Sequence, residues 1–336
     1  MVELMVVKTS QFAPPSRPIG VIQSLMAGFD KIAAKPYLLV PPILLDLFLW
    51  LGPRLTIASI FQELMNLMGI PYGADEAMLG QIEMLRSISS NLGQRLNLFA
   101  MISNLPAGIS SLMTSRMPVL TPLDRSMEIP VDGMMGAFFL LVVLMLLGQT
   151  IGTQFHLWIA QQVAPGEELA KRWTAIGKMI LLAVVLYIVL IIFGFGVAFI
   201  ASLSAIVLPL FGLLVAFFGF TFGFWIFVYL FFTPHGIVRY GMGIFRAMME
   251  SATLVRWNLL PAVGYLGASF GISWLTNQAW LLPTEDSWYL LLAIVGHAFV
   301  SAALLAGSYA FYQGRREWFY SLKHAQIAPV ERGGEG

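Results

Sequence analysis

Long apolar segments dominate this chain, and their lengths predict membrane-spanning helices. Six segments reach the roughly 20 residues with which an α-helix crosses a bilayer. They cover residues 37–58, 134–160, 179–202, 205–232, 259–282 and 288–312. The last five contain no Asp, Glu, Lys or Arg, and the first has one acidic residue deep in its interior, Asp46. The pattern therefore predicts an all-α polytopic membrane protein with six transmembrane helices.

Amphipathic stretches precede the first, third and fifth apolar segments. In the first stretch, apolar residues recur at helical spacing, with polar residues on the opposite side: Ile22, Leu25, Met26, Phe29 and Ile32. A proline corner at Pro36 follows and leads into the first span. Comparable stretches cover residues 167–178 and 235–258. We expect three similar units, each a helix lying flat on the membrane followed by a helical hairpin.

The basic residues predict how the chain is oriented. They gather before the first span, between spans two and three, between spans four and five, and after the sixth. The four groups are Lys8, Arg17, Lys31 and Lys35; Lys171, Arg172 and Lys178; Arg239, Arg246 and Arg256; and Arg315, Arg316, Lys323 and Arg332. Because basic loops stay in the cytoplasm, six spans place all four groups and both termini on that side of the cell (cytoplasmic, or inner) membrane.

A long turn separates the first two spans, at residues 59–132. Within or beside it, residues 54–68 and 75–99 carry apolar side chains at three- or four-residue steps, which is typical of amphipathic helices. We expect a helical extracytoplasmic insertion that lies on the outer leaflet or caps the bundle. The domain organisation is then a flexible tail over residues 1–18, a membrane domain over 19–313 and a cytoplasmic tail over 314–336. The Gly- and Glu-rich residues 328–336 are expected to be disordered.

Short motifs at the start of the spans resemble those of uncharacterised bacterial membrane-protein families. The motifs are Lys35-Pro36-Tyr37, Arg256-Trp257-Asn258, which lacks the proline, and Leu259-Leu260-Pro261. The families include the membrane domain found ahead of some glycerophosphodiester phosphodiesterases. This resemblance implies an architecture of amphipathic helices that lead into spans. It implies no established activity, and the long insertion departs from the short turns of those families.

Composition excludes several classes of function. Only 11% of the residues are charged, the net charge is +1, and no basic stripe suggests a nucleic-acid partner. The chain has no cysteine, which excludes disulfides, thiol nucleophiles and cysteine metal sites. Its four histidines form no His-x-x-x-His pair, so no zinc site is predicted. We expect no metal and no cofactor, with membrane lipids as partners and other membrane subunits as a further option.

Asp46 is the first candidate for a functional residue. It lies nine residues after Tyr37, which places it roughly 13 Å into the first span. An ionisable group at that depth costs about 3 kcal/mol and usually faces the bundle interior. His297 lies at a similar depth in the last span and is the predicted partner of Asp46. The pair suggests a proton or ion relay, or a contact with a polar ligand. The alternative is an inert hydrogen bond between helices.

Span two carries the most polar helix face of the chain. Gln149, Thr153 and His156 follow three- or four-residue spacing and therefore line one seam. This seam is a candidate ligand or proton pathway. The other interpretation, which we favour, is hydrogen bonding from helix to helix, which is common in membrane bundles. His156 is placed near the cytoplasmic interface.

Two further motifs carry less weight. Residues 267–271 match the Gly-x-Ser-x-Gly pattern of serine hydrolases, but that motif needs a strand-to-helix turn, and here it lies within an apolar helix. Its serine, Ser269, lies at a depth similar to that of His297. The methionine-rich insertion offers Met65 and Met68 to Cu(I), although a deformable apolar surface explains it better.

Three functions follow from these residues. The first is a non-catalytic membrane protein that binds lipid or an apolar partner, or assists membrane assembly. The second is a small-solute or proton-linked permease that uses Asp46, His297 and the seam of span two. The third, an intramembrane serine hydrolase, has the least support. A dry and packed Asp46 would favour the first function, and a water-filled cavity that reaches Asp46 would favour the second.

Overall fold

A computed structural model of the protein describes residues 18–68 and 76–327. The helices are α1 (Val21–Ala33), α2 (Val40–Leu51), α3 (Ala58–Met68), α4 (Glu76–Arg95), α5 (Leu112–Arg116), α6 (Met134–Val163), α7 (Arg172–Val207), α8 (Pro209–Leu230), α9 (Thr233–Tyr240), α10 (Ile244–Trp257), α11 (Leu259–Trp280) and α12 (Leu290–Ile327). The strands are β1 (Arg54–Thr56), β2 (Leu120–Thr121), β3 (Asp124–Arg125) and β4 (Glu128–Pro130). The predicted tail over residues 1–17 and the predicted disordered residues 328–336 lie outside the described residues.

Five helices are long and apolar enough to cross a membrane. They are α6, α7, α8 with α9, α11 and α12, and the bent pair of α1 with the helix after it raises the number to six. Their length and composition are those of a multi-pass membrane protein. The predicted all-α polytopic fold is confirmed.

The first span is shorter than predicted. A 3-10 turn over Pro36–Leu39 leads into α2, which ends at Leu51, well before the predicted end at residue 58. Gly52 and Pro53 stop the helix, and strand β1 follows directly. The 16 residues from Pro36 to Leu51 extend roughly 24 Å, less than the hydrocarbon core of a bilayer. They meet α1 at 95°, so the predicted proline corner is present.

Only the first of the three predicted lead-in helices forms as a single separate helix, α1. In the second stretch, residues 167–171 are not helical, and residues 172–178 are the first turns of α7. The third stretch forms two helices, α9 and α10, because Gly241 adopts a left-handed conformation (φ 62°) and ends α9. Helices α1, α9 and α10 lie at one end of the bundle, here termed the α1 end. The insertion lies at the other, the insertion end.

Helix α12 is the central element of the bundle. It packs along α1, where Gly28 approaches the α12 backbone so closely that a Cβ atom there would lie 2.2 Å from the Ala303 carbonyl oxygen. Ala302, Ala303 and Ala306 are fully or almost fully buried on α12 and form part of the main apolar core with residues of α6, α7 and α9. Small side chains on α12 thus allow several helices to approach it.

Helices α7 and α8 form a hairpin that leaves the bundle. No residue of α7 after Ala183 is buried, and α8 buries only Gly212 and Val228. The outer turns of the two helices pack on each other, since Gly212 and Gly219 lie against Ala205 and Val197 of α7. Residues 188–223, here termed the hairpin arm, contain no charged residue and stand apart from the other spans.

The insertion has two parts. Helices α3 and α4 pack against each other at the base of the insertion, where Gly93 lies close to Ala58 and Phe61. The predicted start of the first helix, at residue 54, was too early, because α3 begins at Ala58. The predicted start of the second, at residue 75, was nearly correct, because α4 begins at Glu76. Strand β1 pairs in parallel with β4, and β2 pairs with β3. The second part, residues 97–117, turns back into the bundle.

Candidate functional site

Residues 97–117, here termed the re-entrant segment, descend from the insertion end into the membrane helices. The segment comprises a 3-10 turn over Leu98–Ile102, a loop and the short helix α5. Ala107 and Ile109 are buried in the main apolar core with residues of α6, α7 and α9. Non-helical backbone at membrane depth persists only where protein or a water-filled cavity surrounds it, and here protein surrounds most of the segment.

Two glycines of α6 make room for this segment. A Cβ atom at Gly148 would lie 2.3 Å from the Ile102 carbonyl oxygen, and one at Gly152 would lie 1.9 Å from that of Ala107. A Gly-x-x-x-Gly pair in a membrane helix usually allows another helix to approach. Here the two glycines contact the loop instead. At the equivalent pair in α11, Gly267 and Gly271, added Cβ atoms would meet nothing within 4 Å among the described residues.

The predicted polar seam of α6 bonds to the same segment. The Gln149 side chain donates to the side chain of Asn104 and to the Leu105 carbonyl oxygen (2.7 Å). Asn104 in turn donates to the Met145 carbonyl oxygen at 3.0 Å. Thr153 donates to the Gln149 carbonyl oxygen within its own helix. The seam residues are buried as expected. Gln149, however, forms its side-chain hydrogen bonds with a loop rather than with a neighbouring helix.

Asp46 is fully buried and accepts three hydrogen bonds from the re-entrant segment. The Ser111 hydroxyl donates to Oδ1 at 2.5 Å, and the backbone N–H groups of Leu112 and Met113 donate to Oδ2 (3.2 Å) and Oδ1 (3.1 Å). The carboxyl group therefore fixes the start of α5 against α2. Its desolvation is offset by these three donors, which is the usual condition for burying such a group.

His297 bonds to the residue before Ser111. Its Nε2 atom lies 3.3 Å from the Ser110 hydroxyl, at a position where Ser110 is exposed and His297 half-buried. Within residues 18–68 and 76–327, Asp46 and His297 form no ion pair. The predicted direct contact is corrected, since two successive serines of the re-entrant segment separate the groups and each serine holds one of them.

His156 belongs to a buried cluster of rings nearer the α1 end. Its Nδ1 atom is 3.0 Å from the Tyr309 hydroxyl of α12. The Tyr309 ring also lies 4.3 Å, centroid to centroid, from the ring of His235 in α9. All three side chains are at least 94% buried. Sequence reasoning identified His156 but missed its neighbours, because they come from helices distant along the chain.

His235 leaves one ring nitrogen without a partner in the described part of the chain. Its Nε2 atom lies 2.7 Å from the Ser308 hydroxyl, and that hydroxyl donates its only proton to the Leu305 carbonyl oxygen. Ser308 must therefore accept from Nε2–H, which leaves Nδ1 as an unprotonated acceptor. Nδ1 is buried and unpaired. Orphaned acceptors of this kind usually bond to buried water.

Glu250 of α10 is a second polar centre that sequence reasoning missed. It accepts from the Tyr312 hydroxyl (2.7 Å), from Nε of Arg316 (2.7 Å) and from the Tyr320 hydroxyl (3.0 Å). The Arg316 guanidinium also lies 3.8 Å from the centroid of the Tyr240 ring. These contacts hold α10 against the last turns of α12. The sequence does contain a signal for this centre. Polar residues recur at three- or four-residue steps and form one stripe that continues the last span past residue 312: Tyr309, Tyr312, Arg316 and Tyr320.

Two arginines, the fully buried Arg54 and the half-buried Arg116, fix the insertion and the re-entrant segment in place. Arg54 donates to the last carbonyl oxygens of α4, at Gln94 (2.7 Å) and Arg95 (2.8 Å), and pairs with Glu128 at 3.3 Å. Burial lowers the pKa of Arg54, and the negative charge of Glu128 opposes that shift. Arg116 similarly donates to the carbonyl oxygens of Trp280, the last residue of α11, and of Pro283 just beyond it. A cation at a helix C-terminus satisfies free carbonyl groups and interacts favourably with the helix dipole.

The Gly-x-Ser-x-Gly motif and the titratable side chains are possible sites of chemistry in the described part of the chain. Ser269 lies inside α11, so the strand-to-helix turn required by the Gly-x-Ser-x-Gly motif is missing at this position. Among the described residues, no group of three or more acidic or histidine side chains is placed to hold a metal ion. Comparison with known proteins adds no assignment, since the chain matches no family model, no curated protein and no solved structure.

Proposed function

We propose that this chain is a non-catalytic integral membrane protein that holds a lipid or an apolar membrane partner. The observation that carries the proposal is the hairpin arm. Its outward side chains are apolar and strongly exposed, as at Ile192 (68%), Phe199 (65%) and Phe220 (77%), and Gly212 is its only buried residue. A bilayer removes the cost of exposing such surface to water, and a partner helix or acyl chain supplies the packing contacts that the bundle does not.

The state of Asp46 supports this function over transport. A carboxyl group that carries ions or protons needs access to water or to a second titratable group. Asp46 is fully buried, and its three donors all come from the re-entrant segment. It therefore acts as an attachment point for that segment. The resemblance to membrane domains without established activity is compatible with the same proposal.

A cross-linking experiment tests what the hairpin arm holds. Benzoylphenylalanine would replace Phe199 or Phe220 on the arm and, as a matched exposed position on α6, Phe139. We expect a discrete lipid or protein adduct at the two arm positions and only diffuse adducts at Phe139. Native mass spectrometry of gently extracted protein would then identify the retained molecule. Identical diffuse adducts at all three positions would count against the proposal.

A proton-linked permease is the second candidate, and one specific observation favours it. The His156, Tyr309 and His235 cluster contains a buried acceptor nitrogen without a protein partner, and Tyr312, which lies 5.6 Å from His235 between ring centroids, contacts Glu250 near the α1 end. Polar groups arranged in this way resemble a proton path. Protein reconstituted in liposomes should then dissipate a pH gradient, and His235→Gln should abolish that activity. If the liposomes kept their pH gradient, only the first proposal would remain.

A further inference from the structure

One pair of polar groups at membrane depth remains accessible from the bilayer. The Ser110 hydroxyl, which bonds to His297, is exposed, and the half-buried His297 lies roughly 10 Å along α12 from its first residue, Leu290. By contrast, the neighbouring Ser111 is buried with Asp46. Polar loop residues do not face hydrocarbon without a partner, because each unsatisfied group costs several kcal/mol there.

The two membrane helices around this pair add hydroxyl groups but no charge. Ser301 lies one turn further along the same face of α12 as His297 and is partly exposed. On α11, Ser273 and Thr276 share the helix face of Trp280, whose ring packs directly on Gly296 of α12. Neither α11 nor the first 24 residues of α12, up to Gln313, contains Asp, Glu, Lys or Arg. The nearby Arg116 of the re-entrant segment directs its guanidinium to the carbonyl oxygens of Trp280 and Pro283, so its hydrogen bonds are made with the backbone and not with the Ser110–His297 pair.

Apolar surface lies beside the pair on α11, which packs on α12 through Trp280 and Gly296 and exposes Phe270 and Trp274. The exposed Leu291, Leu292 and Val295 lie on the side of α12 that faces away from His297. A ligand at this position must therefore combine a long apolar body with a small uncharged group that forms hydrogen bonds. A hydroxyl group meets this requirement well, since it donates and accepts and can bond to the imidazole and the Ser110 hydroxyl together.

We propose that Ser110 and His297 form a binding site for the hydroxyl end of a neutral lipid. The inference rests on the proposed lipid-holding function and specifies the chemical class of one ligand. The acyl chains extend along the exposed apolar face of α11, and the lipid hydroxyl replaces the water that the pair would otherwise require. Asp46 takes no part in binding, because its bonds to the re-entrant segment are complete.

Matched photoreactive lipids test this proposal on the full-length protein in nanodiscs. The first probe is a diacylglycerol with a diazirine in one acyl chain, which carries a free hydroxyl. The second is the phosphatidic acid with the same chains, and the third is a diazirine alkane. We expect the diacylglycerol to label peptides of α11, α12 and the re-entrant segment about fivefold more than the phosphatidic acid does. His297→Leu and Ser110→Ala should each lower that labelling by about fivefold, the factor typical of one lost hydrogen bond.

Controls separate this proposal from its premise. Ser87→Ala removes an exposed hydroxyl on α4 that bonds within its own helix, and it should leave all labelling unchanged. The exposed Ser110 is expected to tolerate alanine, so Ser110→Ala remains informative if His297→Leu fails to fold. Equal labelling by diacylglycerol and phosphatidic acid, or labelling that neither variant changes, would overturn the site. Reaction of Ser110→Cys with a charged, membrane-impermeant thiol reagent would also overturn it, because the groove would then be aqueous. If the diazirine alkane failed to label the hairpin arm of the unmodified protein, that result would instead contradict the general lipid-holding function.

Discussion

The Ser111 hydroxyl and the Asp46 carboxyl group lie 2.5 Å apart, and this contact joins the re-entrant segment to α2. The acid that the hydropathy pattern isolates in the first span thus serves as an acceptor for a loop from the insertion. The adjacent residue, Ser110, directs its hydroxyl to His297 on another helix. Two adjacent serines therefore separate Asp46 from His297, which were expected to contact each other. Ser111 bonds to Asp46, and Ser110 bonds to His297.

Replacing Asp46 should lower the stability of the protein and should not act primarily on solute transport. Asp46→Asn introduces an N–H donor where three donors already converge, which leaves at least one buried donor unsatisfied. We expect a loss of about 1–3 kcal/mol, seen as a lower melting temperature in detergent. Ser111→Ala should cost less, since it removes one of the three bonds.

Ser110→Ala is the matched control for that experiment. Ser110 adjoins Ser111 in sequence but is exposed and bonds away from Asp46, so the melting temperature should change little. Wild-type stability of Asp46→Asn together with an altered solute flux would contradict the structural role and restore Asp46 as a transport residue.

The close fit of the re-entrant segment against α6 gives a second prediction. Gly152→Ala would place a methyl group 1.9 Å from the Ala107 carbonyl oxygen, a backbone atom that cannot move without shifting the loop. We expect a loss of about 1–3 kcal/mol and faster hydrogen exchange in residues 97–117. Gly271→Ala in α11 meets nothing within 4 Å among the described residues, so it should be neutral or slightly stabilising through helix propensity. Equal behaviour of the two variants would contradict the packing of the segment.

These contacts show what the sequence could and could not predict. The spans follow from hydropathy, because burial in a bilayer requires long apolar runs. The burial of Asp46 followed from the same physics. Its partner did not, since Ser111 lies 65 residues away in a loop without periodicity. Likewise, the end of α2 was signalled by Gly52 and Pro53, but the apolar residues beyond them obscured it. Contacts between distant segments depend on three-dimensional packing, which no local pattern encodes.

Arg54 should control the order of the α3–α4 hairpin. It is fully buried and caps α4 through two carbonyl oxygens, so Arg54→Lys keeps the charge but loses the forked geometry. We expect faster hydrogen exchange over the last turns of α4, with the spans unchanged. Arg86→Lys, at an exposed position in the middle of the same helix, is the control and should leave exchange at wild-type rates. Slow exchange in both variants would show that the cap is dispensable.

Glu250 should determine how firmly α10 is held on α12. The carboxylate accepts from Tyr312, Arg316 and Tyr320, and its pair with Arg316 is mostly buried, at 8% and 20% side-chain exposure. Glu250→Gln leaves the Arg316 cation without its counter-charge, while the amide still accepts hydrogen bonds. We therefore expect a loss of about 1–3 kcal/mol, below the 3–5 kcal/mol typical of fully breaking a buried pair.

Release of α10 should be visible as faster proteolysis after Arg246 and Arg256, which flank Glu250 on that helix. Glu317→Gln is the matched control, because Glu317 is exposed on α12 and bonds only to Gln313 one turn before it among the contacts described. If the Glu250 variant resists protease as well as the Glu317 variant does, apolar packing alone holds α10. That packing would come from Leu254 and Val255, which are buried against Phe232 and Phe311. The hydrogen-bond geometry at Glu250 argues against this outcome, because three donors converge on one carboxylate only where its position is fixed.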